Sequence, residues 1–513
     1  MSEKVIAYDL GTGGIKASLF NRDGETLHSV FIPYPTAYPQ PGRQEQAPDD
    51  WWQAIIHSTR LLSEKTKCDK NDIVALAISG HSLGVVPIGK DGNLLLTSTP
   101  IWSDRRATEE AGIFFSRTDY KEWYETTGNG FPPECYSIFK IMWYKKHFPE
   151  QYAATDKVIG TKDYCNYRFT GRLCTDYSYA SGSGVFDLEA WDYKQEYIQA
   201  SGIRPDLFPE ILDSDAVIGT ITPEASLETG LPTHVKVICG GVDNSCMALG
   251  SKGIKPSRIY TSLGSSAWIA LISEKPVLDF DKKPYVFAHV IKGMFASATC
   301  IFSAGSSLQW VRDTLCPDLL VIEEQGGENA YTAMNKLAEA SAPGSNGLLF
   351  NPSLAGGSSI EPSPDMTGAF TGLRLGNTRA DLIRATMEGI ALNLRIALDL
   401  FRKYHTEFTD MLFVGGGTKS NFWMQLFADI YELEIEKTNI GQEAASLGAA
   451  ALALKGTDLW NSYDRIDSLH QTQHRFLPDP RHQAIYRQAL SNFKALVDHI
   501  ASLNSINKQM NEQ

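Results

Sequence analysis

The sequence predicts an α/β protein made of two related halves. Three observations lead there. The first thirty residues alternate between short β-prone runs and small-residue turns and lead into an amphipathic helix and a buried strand. The same order of elements returns about 250 residues later. The 513 residues, 43% hydrophobic and 21% charged, have ordinary globular composition and length for two to four domains.

In chain order, VIAYDL (5–10) is an apolar strand broken by GTGG (11–14). IKASLF alternates, with Ile15, Ala17 and Leu19 on one face and Lys16 and Ser18 on the other. NRDG turns the chain and ETLHSVFI resumes it. Pro48-Asp49-Asp50 starts a helix through Trp51, Ile55 and Ile56, since the first N–H groups of a helix lack internal partners and tolerate Pro and Asp. VALAIS (74–79) is a buried strand.

The second half repeats this with RIYTSL, the turn GSS and AWIALI, then strands in FAHVI and MFASAT. SAGSSLQWVRDTL is a helix with Ser303 or Ser306 as its cap. MLFV ends in Gly415-Gly416-Gly417 before the amphipathic NFWMQLFADI. The boundary between halves falls near Gly250–Pro256, and the polar tail after Leu503 is expected to fray.

Lys+Arg 47 against Asp+Glu 60 leaves a net charge of −13, which excludes the basic field of a non-specific nucleic-acid or anionic-lipid binder. No apolar run reaches the roughly 18 residues of a membrane helix, and the start MSEKVIAYDLG carries no secretory pattern. The eight cysteines are scattered without a CxxC pair, which fits buried thiols in a reducing cytosol. Trp123, Trp143, Tyr144 and Trp191 have no carbohydrate-binding spacing and are assigned to the core.

Several segments can carry chemistry. Asp9-Leu10-Gly11-Thr12-Gly13-Gly14-Ile15-Lys16 is a strand ending in a glycine-rich hairpin, where successive N–H groups can form an anion nest. Thr12 adds a hydroxyl, Lys16 a point charge, and Asp9 a carboxylate for Mg²⁺. The plain alternative is a tight turn. Ser262-Leu263-Gly264-Ser265-Ser266 occupies the same place in the second half. Asp243, in Gly240-Gly241-Val242-Asp243-Asn244, falls at a helix start and reads either as a cap or as a general base. The helix dipole would favour its ionised form and make it a weak base, which suits phosphoryl transfer through a loose transition state. Gly415-Gly416-Gly417, followed by Thr418-Lys419-Ser420-Asn421, would let a flat ring approach the backbone. GxGxxG, GxxxxGKS, HRD and DFG are absent. His81 and Trp102-Ser103-Asp104 lie in polar-aromatic loops of the kind that hold sugars.

From about residue 4 to about 490 the chain resembles the FGGY carbohydrate kinases, most closely their xylulokinase-like branch. The resemblance is carried by DLGTGGIK (9–16), PIWSDRRA (100–107), GTKDYCNYRFTG (160–171), GGVDNSCMALG (240–250), TSLGSSAW (261–268), AGSSLQW (304–310), FVGGGTKSNFWMQLFADI (413–430) and EAASLGAAALA (443–453). It implies two actin-like ATPase (ribonuclease H-like) domains flanking a deep cleft. The N-terminal domain would span 1–253 and the C-terminal domain 254–490, with a helix and frayed tail over 491–513. It implies ATP-dependent phosphorylation of a sugar hydroxyl with Mg²⁺, in the cytoplasm, with a small-molecule substrate, no nucleic-acid or membrane partner, and a homodimer left open.

Carried over by position, Asp243 is the catalytic base, and Asp9 organises the metal, with Asp243 also facing it. Gly11, Thr12 and Lys16 are phosphate contacts, joined by Gly264 and Ser265 of the second hairpin. Gly305, Gln309, Gly416, Gly417, Ser420 and Asn421 belong to the nucleotide pocket. His81, Ser82, Leu83, Trp102, Asp104 and Asn244 belong to the substrate site. Two stretches depart from the branch. Gly80-His81-Ser82-Leu83-Gly84 stands where Gly-Gln-Met-His-Gly is usual, and Gly356-Gly357-Ser358-Ser359-Ile360 replaces Gly-Glu-Arg-x-Pro. The implied acceptor is a ketopentose such as xylulose. The alternatives are a ketohexose, ribulose or a glycerol-like polyol, or an actin-like ATPase switch without sugar chemistry.

Overall fold

The computed structural model describes residues 3–405 and 408–511. Strand β1 (Lys4–Gly11) pairs antiparallel with β2 (Gly14–Asn21), and β2 with β3 (Thr26–Pro33). Helix α1 (Pro48–Thr66) follows, with Pro48 in its first turn beside Asp49 and Asp50. Its buried stripe of Trp51, Trp52, Ile55 and Leu62 packs against Ile6, Tyr8, Ile15, Ala17 and Leu19. This is the alternation read from the sequence: residues at even spacing on one face of each strand meet residues at helical spacing. Strand β4 (Ile73–Gly80) then lies parallel to β1 on the side away from β2.

Farther along come α2 (Thr161–Thr170), β5 (Cys174–Asp176), β6 (Val217–Thr220), β7 (Lys236–Ile238), β8 (Gly241–Val242) and α3 (Asp243–Gly250). The first sheet runs β6-β7-β4-β1-β2-β3, with β8 extending the β7 edge along β4. Trp123 and Tyr144 are buried in a neighbouring aromatic cluster, and Trp143 packs at its edge.

The second half starts with β9 (Ile259–Leu263) and β10 (Ala267–Ser273), an antiparallel hairpin. Further strands span Tyr285–Ala288 and Phe295–Ile301. Then come α4 (Gly305–Leu315), α5 (Arg379–Tyr404), β11 (Asp410–Val414), α6 (Asn421–Tyr431), β12 (Glu434–Thr438), α7 (Ala444–Gly456), β13 (Thr472–Phe476) and α8 (Gln483–Asn511). Here β10, β9, β11, β12 and β13 lie side by side, and β9 runs parallel to β11 as β1 does to β4. The predicted repetition is therefore one of topology: a hairpin whose first strand takes a later parallel neighbour.

By contacts the chain divides into two compact units. The first holds Met1–Pro256, Ile272–Ser297 and Glu443–His470; the second holds Ser257–Leu271, Ala298–Gln442 and Gln471–Gln513. Helix α7 explains the return of the chain to the first unit. It is almost wholly Ala, Leu and Gly, is buried on all sides, and packs on α3, β1 and β4. Gly250 and Gly448 set that crossing: a Cβ on Gly250 would lie 1.8 Å from the Ala444 carbonyl oxygen, and one on Gly448 1.9 Å from that of Cys246. Residues 491–511 continue α8 as helix, and the last two residues of the expected tail lie outside the described residues.

The cap expected at Ser303 or Ser306 is not a side-chain cap. Ala304 precedes α4 without a side-chain bond. The N–H groups of Ala304 and Ser306 donate to the Ser265 carbonyl at 2.8 and 3.0 Å, and that of Gly305 to the Gly264 carbonyl at 2.9 Å. The β9–β10 turn itself supplies the acceptors that the helix start requires.

Candidate active site

Three strands of the first unit bring its carboxylates together. Asp9 on β1 stands opposite Ser79 on β4, and Ser79 stands opposite Gly241 on β8. The chain leaves β8 at Val242 and enters α3, so Asp243 is the first helical residue. Asp9 accepts a hydrogen bond from the Ser79 hydroxyl at 3.1 Å. Asp243 accepts one from the Asn244 N–H at 2.8 Å and keeps part of its surface open.

The electrostatics differ from the sequence expectation of a weak base. Burial, followed by the nearby Asp9 charge, pushes Asp243 up to about 7, against the smaller pull of backbone N–H groups. Burial also raises Asp9, opposed by Ser79 and Lys16. Desolvation and a like charge therefore outweigh the helix start.

The turn carrying Asp243 is anchored from behind by buried charge. Lys162 on α2 contacts Asp163 at 2.6 Å and Asp176 at 3.0 Å, all three side chains fully buried. Burial opposes the Lys162 ammonium, but the two carboxylates more than offset this and hold it protonated. Lys162 also donates to the Cys239 carbonyl at 3.1 Å, and Asn166 donates to the same oxygen at 2.8 Å. Asp176 accepts from the Ser178 hydroxyl, which in turn accepts from the Val242 N–H at 2.9 Å. Both ends of 239–242 are thus tied to one buried ion cluster.

At the hairpin, Gly11 pairs with Gly14 across a turn whose tip, Gly13, is exposed. The Gly11 carbonyl accepts from the Tyr34 hydroxyl, and the Thr12 carbonyl from Gln46 Nε2 at 2.7 Å. Lys16 lies opposite Asp9 and forms an ion pair of 3.1 Å with Glu443.

The predicted substrate residues separate into two groups. Trp102 and Asn244 are partly open, while Ser82 is almost wholly buried. Asp104 anchors its own loop. It is fully buried, and its oxygens accept from the Gln44 N–H, the Arg106 N–H and two nitrogens of the Arg106 guanidinium. Leu83 is packed inside. It is 1% exposed, lies close over Gly182, and adopts φ +61°, with its carbonyl accepting from buried Lys140 at 3.2 Å. His81 is buried edge-on against Trp51, neither ring nitrogen has a hydrogen-bond partner, and burial pushes its pKa down to about 3, so the ring is neutral.

In the second unit Gly264 and Ser265 are exposed at the β9–β10 tip. Gly305 is required by contact, since a Cβ there would stand 2.4 Å from the Gly264 carbonyl oxygen. Gln309 is exposed on α4. Gly415 has φ +97° and passes over the Leu263 backbone; Gly417 faces the Leu263 side chain, and Gly416 is more open. Ser420 caps α6 through the Trp423 N–H and bonds Asn335 at 3.0 Å, and exposed Asn421 accepts from Lys437 at 3.1 Å.

Sequence reasoning missed Ser79, Tyr34, Gln46 and the Lys162 cluster. Ser79 had a signal, as the last polar residue of a buried strand parallel to β1. Gln46 and Tyr34 had none, since only the fold brings their loop beneath the hairpin.

Comparison with known proteins identifies the family. Residues 4–250 match the N-terminal domain and 259–456 the C-terminal domain of the FGGY family of carbohydrate kinases. A xylulose kinase of Bacillus subtilis (strain 168) is 28% identical over 502 residues, 98% of each chain. A gluconokinase of the same organism is 27% identical over 494 residues, covering 96% of this chain and 95% of that protein. The crystal structure of a ligand-bound xylulose kinase from Lactobacillus acidophilus superposes with a TM-score of 0.88 at 26% identity, over 97% of this chain and 98% of that one. Matched along nearly its whole length, with Asp9 on β1 and Asp243 just past β8 on either side of β4, the chain belongs to the FGGY family of carbohydrate kinases and is a sugar phosphotransferase of two actin-like α/β domains.

Proposed function

We propose that this kinase transfers the γ-phosphoryl group of ATP to a hydroxyl of a small ketose, with D-xylulose as the first acceptor to test, and that Asp243 is the general base. The observation carrying this is the Asp9–Asp243 pair: a partly open carboxylate held near pKa 7 by burial and by a second carboxylate. The acceptor oxygen bonds to the γ-phosphorus, its proton passes to Asp243, and the bond to the β-phosphate oxygen breaks to release ADP. The transition state is loose, so positioning and late proton removal supply most of what the protein contributes.

Gly11, Thr12 and Lys16 are the proposed phosphate contacts of the first unit. Gly264, Ser265, Gly305, Gln309, Gly416, Gly417, Ser420 and Asn421 are the proposed nucleotide residues of the second. His81, Ser82, Leu83, Trp102, Asp104 and Asn244 are the proposed residues of the acceptor site.

Asp9 and Asp243 also fit a divalent cation. Among the described residues no three His, Cys, Asp or Glu side chains form a metal cage. Two repelling carboxylates beside a phosphate site are the donor set Mg²⁺ accepts together with phosphate oxygens and water. When bound, Mg²⁺ would neutralise phosphate charge. EDTA should abolish turnover and excess MgCl₂ restore it; full turnover in EDTA would refute the metal reading.

Among the described residues no helix is long and apolar enough to cross a membrane, and all eight cysteines are free thiols, which supports a cytoplasmic setting. The named relatives include xylulose kinases and gluconokinases, so the acceptor is tested by ADP release with ketopentoses, ketohexoses, polyols and gluconate. The expected result is highest kcat/KM with a ketopentose; turnover of gluconate alone would overturn the ketose assignment.

A further inference from the structure

Trp102 is bonded to the phosphate hairpin. Its indole Nε1 donates to the Thr12 hydroxyl at 2.9 Å, while part of the ring stays open. The surroundings fix both partners. The Thr12 carbonyl is held by Gln46, whose amide also donates to Thr36 at 2.8 Å and accepts from Trp51 Nε1 at 2.9 Å. The loop bearing Trp102 is held to residues 44–45: Ser103 donates to Gln44 at 2.6 Å, Asp104 accepts from the Gln44 N–H at 2.7 Å, and Arg106 contacts Glu45 at 2.6 Å. One segment, 44–46, half-buried at Gln44 and Glu45 and buried at Gln46, therefore sets the position of both the hairpin and the indole.

The chemistry of the bond has direction. An indole N–H can only donate, so the Thr12 oxygen must accept, and its single hydrogen is turned elsewhere. A hydroxyl that accepts a hydrogen bond is also polarised into a better donor. We infer that Trp102 is a positioning residue that turns the Thr12 O–H towards a nucleotide phosphate, so that an acceptor packed on the indole and a nucleotide on the hairpin tighten each other. This rests on the proposed roles of Trp102 and Thr12 above.

The test is titration calorimetry of the full chain with Mg²⁺ and a non-hydrolysable ATP analogue, with and without D-xylulose or whichever acceptor the screen shows to be phosphorylated. Wild type is expected to bind the analogue about 5-fold or more tightly with acceptor present. Thr12→Val, which leaves the acceptor loop intact, should bring that factor to about one with acceptor affinity unchanged; Thr12→Ser should keep it. Trp102→Phe should lose it, and the Trp102→Phe/Thr12→Val pair should lose no more than Thr12→Val alone. A wild-type factor of one, or a factor retained in Thr12→Val, overturns the inference. If wild type phosphorylates no acceptor at all, the proposed function has failed and the inference falls with it; if it phosphorylates one and the factor survives in Thr12→Val, only the inference falls.

Discussion

At Asp243 the balance of forces is plain. A carboxylate at a helix start is ordinarily ionised, yet burial and Asp9 raise this one to about 7. A base must be unprotonated, so kcat/KM should rise with pH to a plateau above about 7 and fall roughly tenfold per unit below it. A flat profile between pH 5 and 8 would contradict the assignment. The same shift has a stability consequence of opposite sense. Because the folded-state value lies above the unfolded one, near 4, stability is lost as pH rises towards 7 and the buried group ionises. Asp243→Asn should therefore gain melting temperature relative to wild type at pH 8 more than at pH 4, even while turnover collapses. The reverse trend in a pair of melting curves would refute the raised value.

Lys162 belongs to the same scale. It is fully buried between Asp163 and Asp176. Lys162→Met leaves those carboxylates uncompensated and should cost about 3–5 kcal/mol in urea unfolding. A loss below about 1 kcal/mol would mean that solvent reaches the cluster.

Among elements, the strands and hairpins were legible because their cause is local. Ile15, Ala17 and Leu19 alternate, NRDG turns, and β2 and α1 follow. Asp243 at a helix start was legible for the same reason. The exceptions have non-local causes. Helix α4 needs no serine cap, because the β9–β10 turn folds back to meet its N–H groups. The partners of Asp104, Gln44 and Arg106, include one brought in by the fold from 60 positions away. The crossing of α3 and α7 was also invisible, since Gly250 and Gly448 are far apart in sequence. Gly448→Ala would drive a methyl into the Cys246 carbonyl. It should cost about 1–3 kcal/mol and lower kcat as well, because α3 carries Asp243. Unchanged stability and rate would show that the helices separate freely.

For the whole molecule, the sequence resolved two halves but not how the chain is shared between them. The repeated order of elements marks a boundary near Gly250–Pro256, and by contacts Ile272–Ser297 and Glu443–His470 group with the first unit. Helix α7 is the reason: a segment so rich in Ala and Leu needs apolar partners on every side and finds them on β1, β4 and α3. Lys16 and Glu443 meet as a by-product, 427 positions apart. The chemistry assigned to the molecule has one decisive assay. Wild type and Asp243→Asn are incubated with MgATP and D-xylulose, and phosphorylated sugar and ADP are quantified while nucleotide affinity is measured in parallel. The account predicts equal amounts of the two products from wild type, and a fall in rate of about 10²–10⁴-fold in the variant with ATP binding nearly unchanged. Near-normal phosphorylation by Asp243→Asn would contradict it.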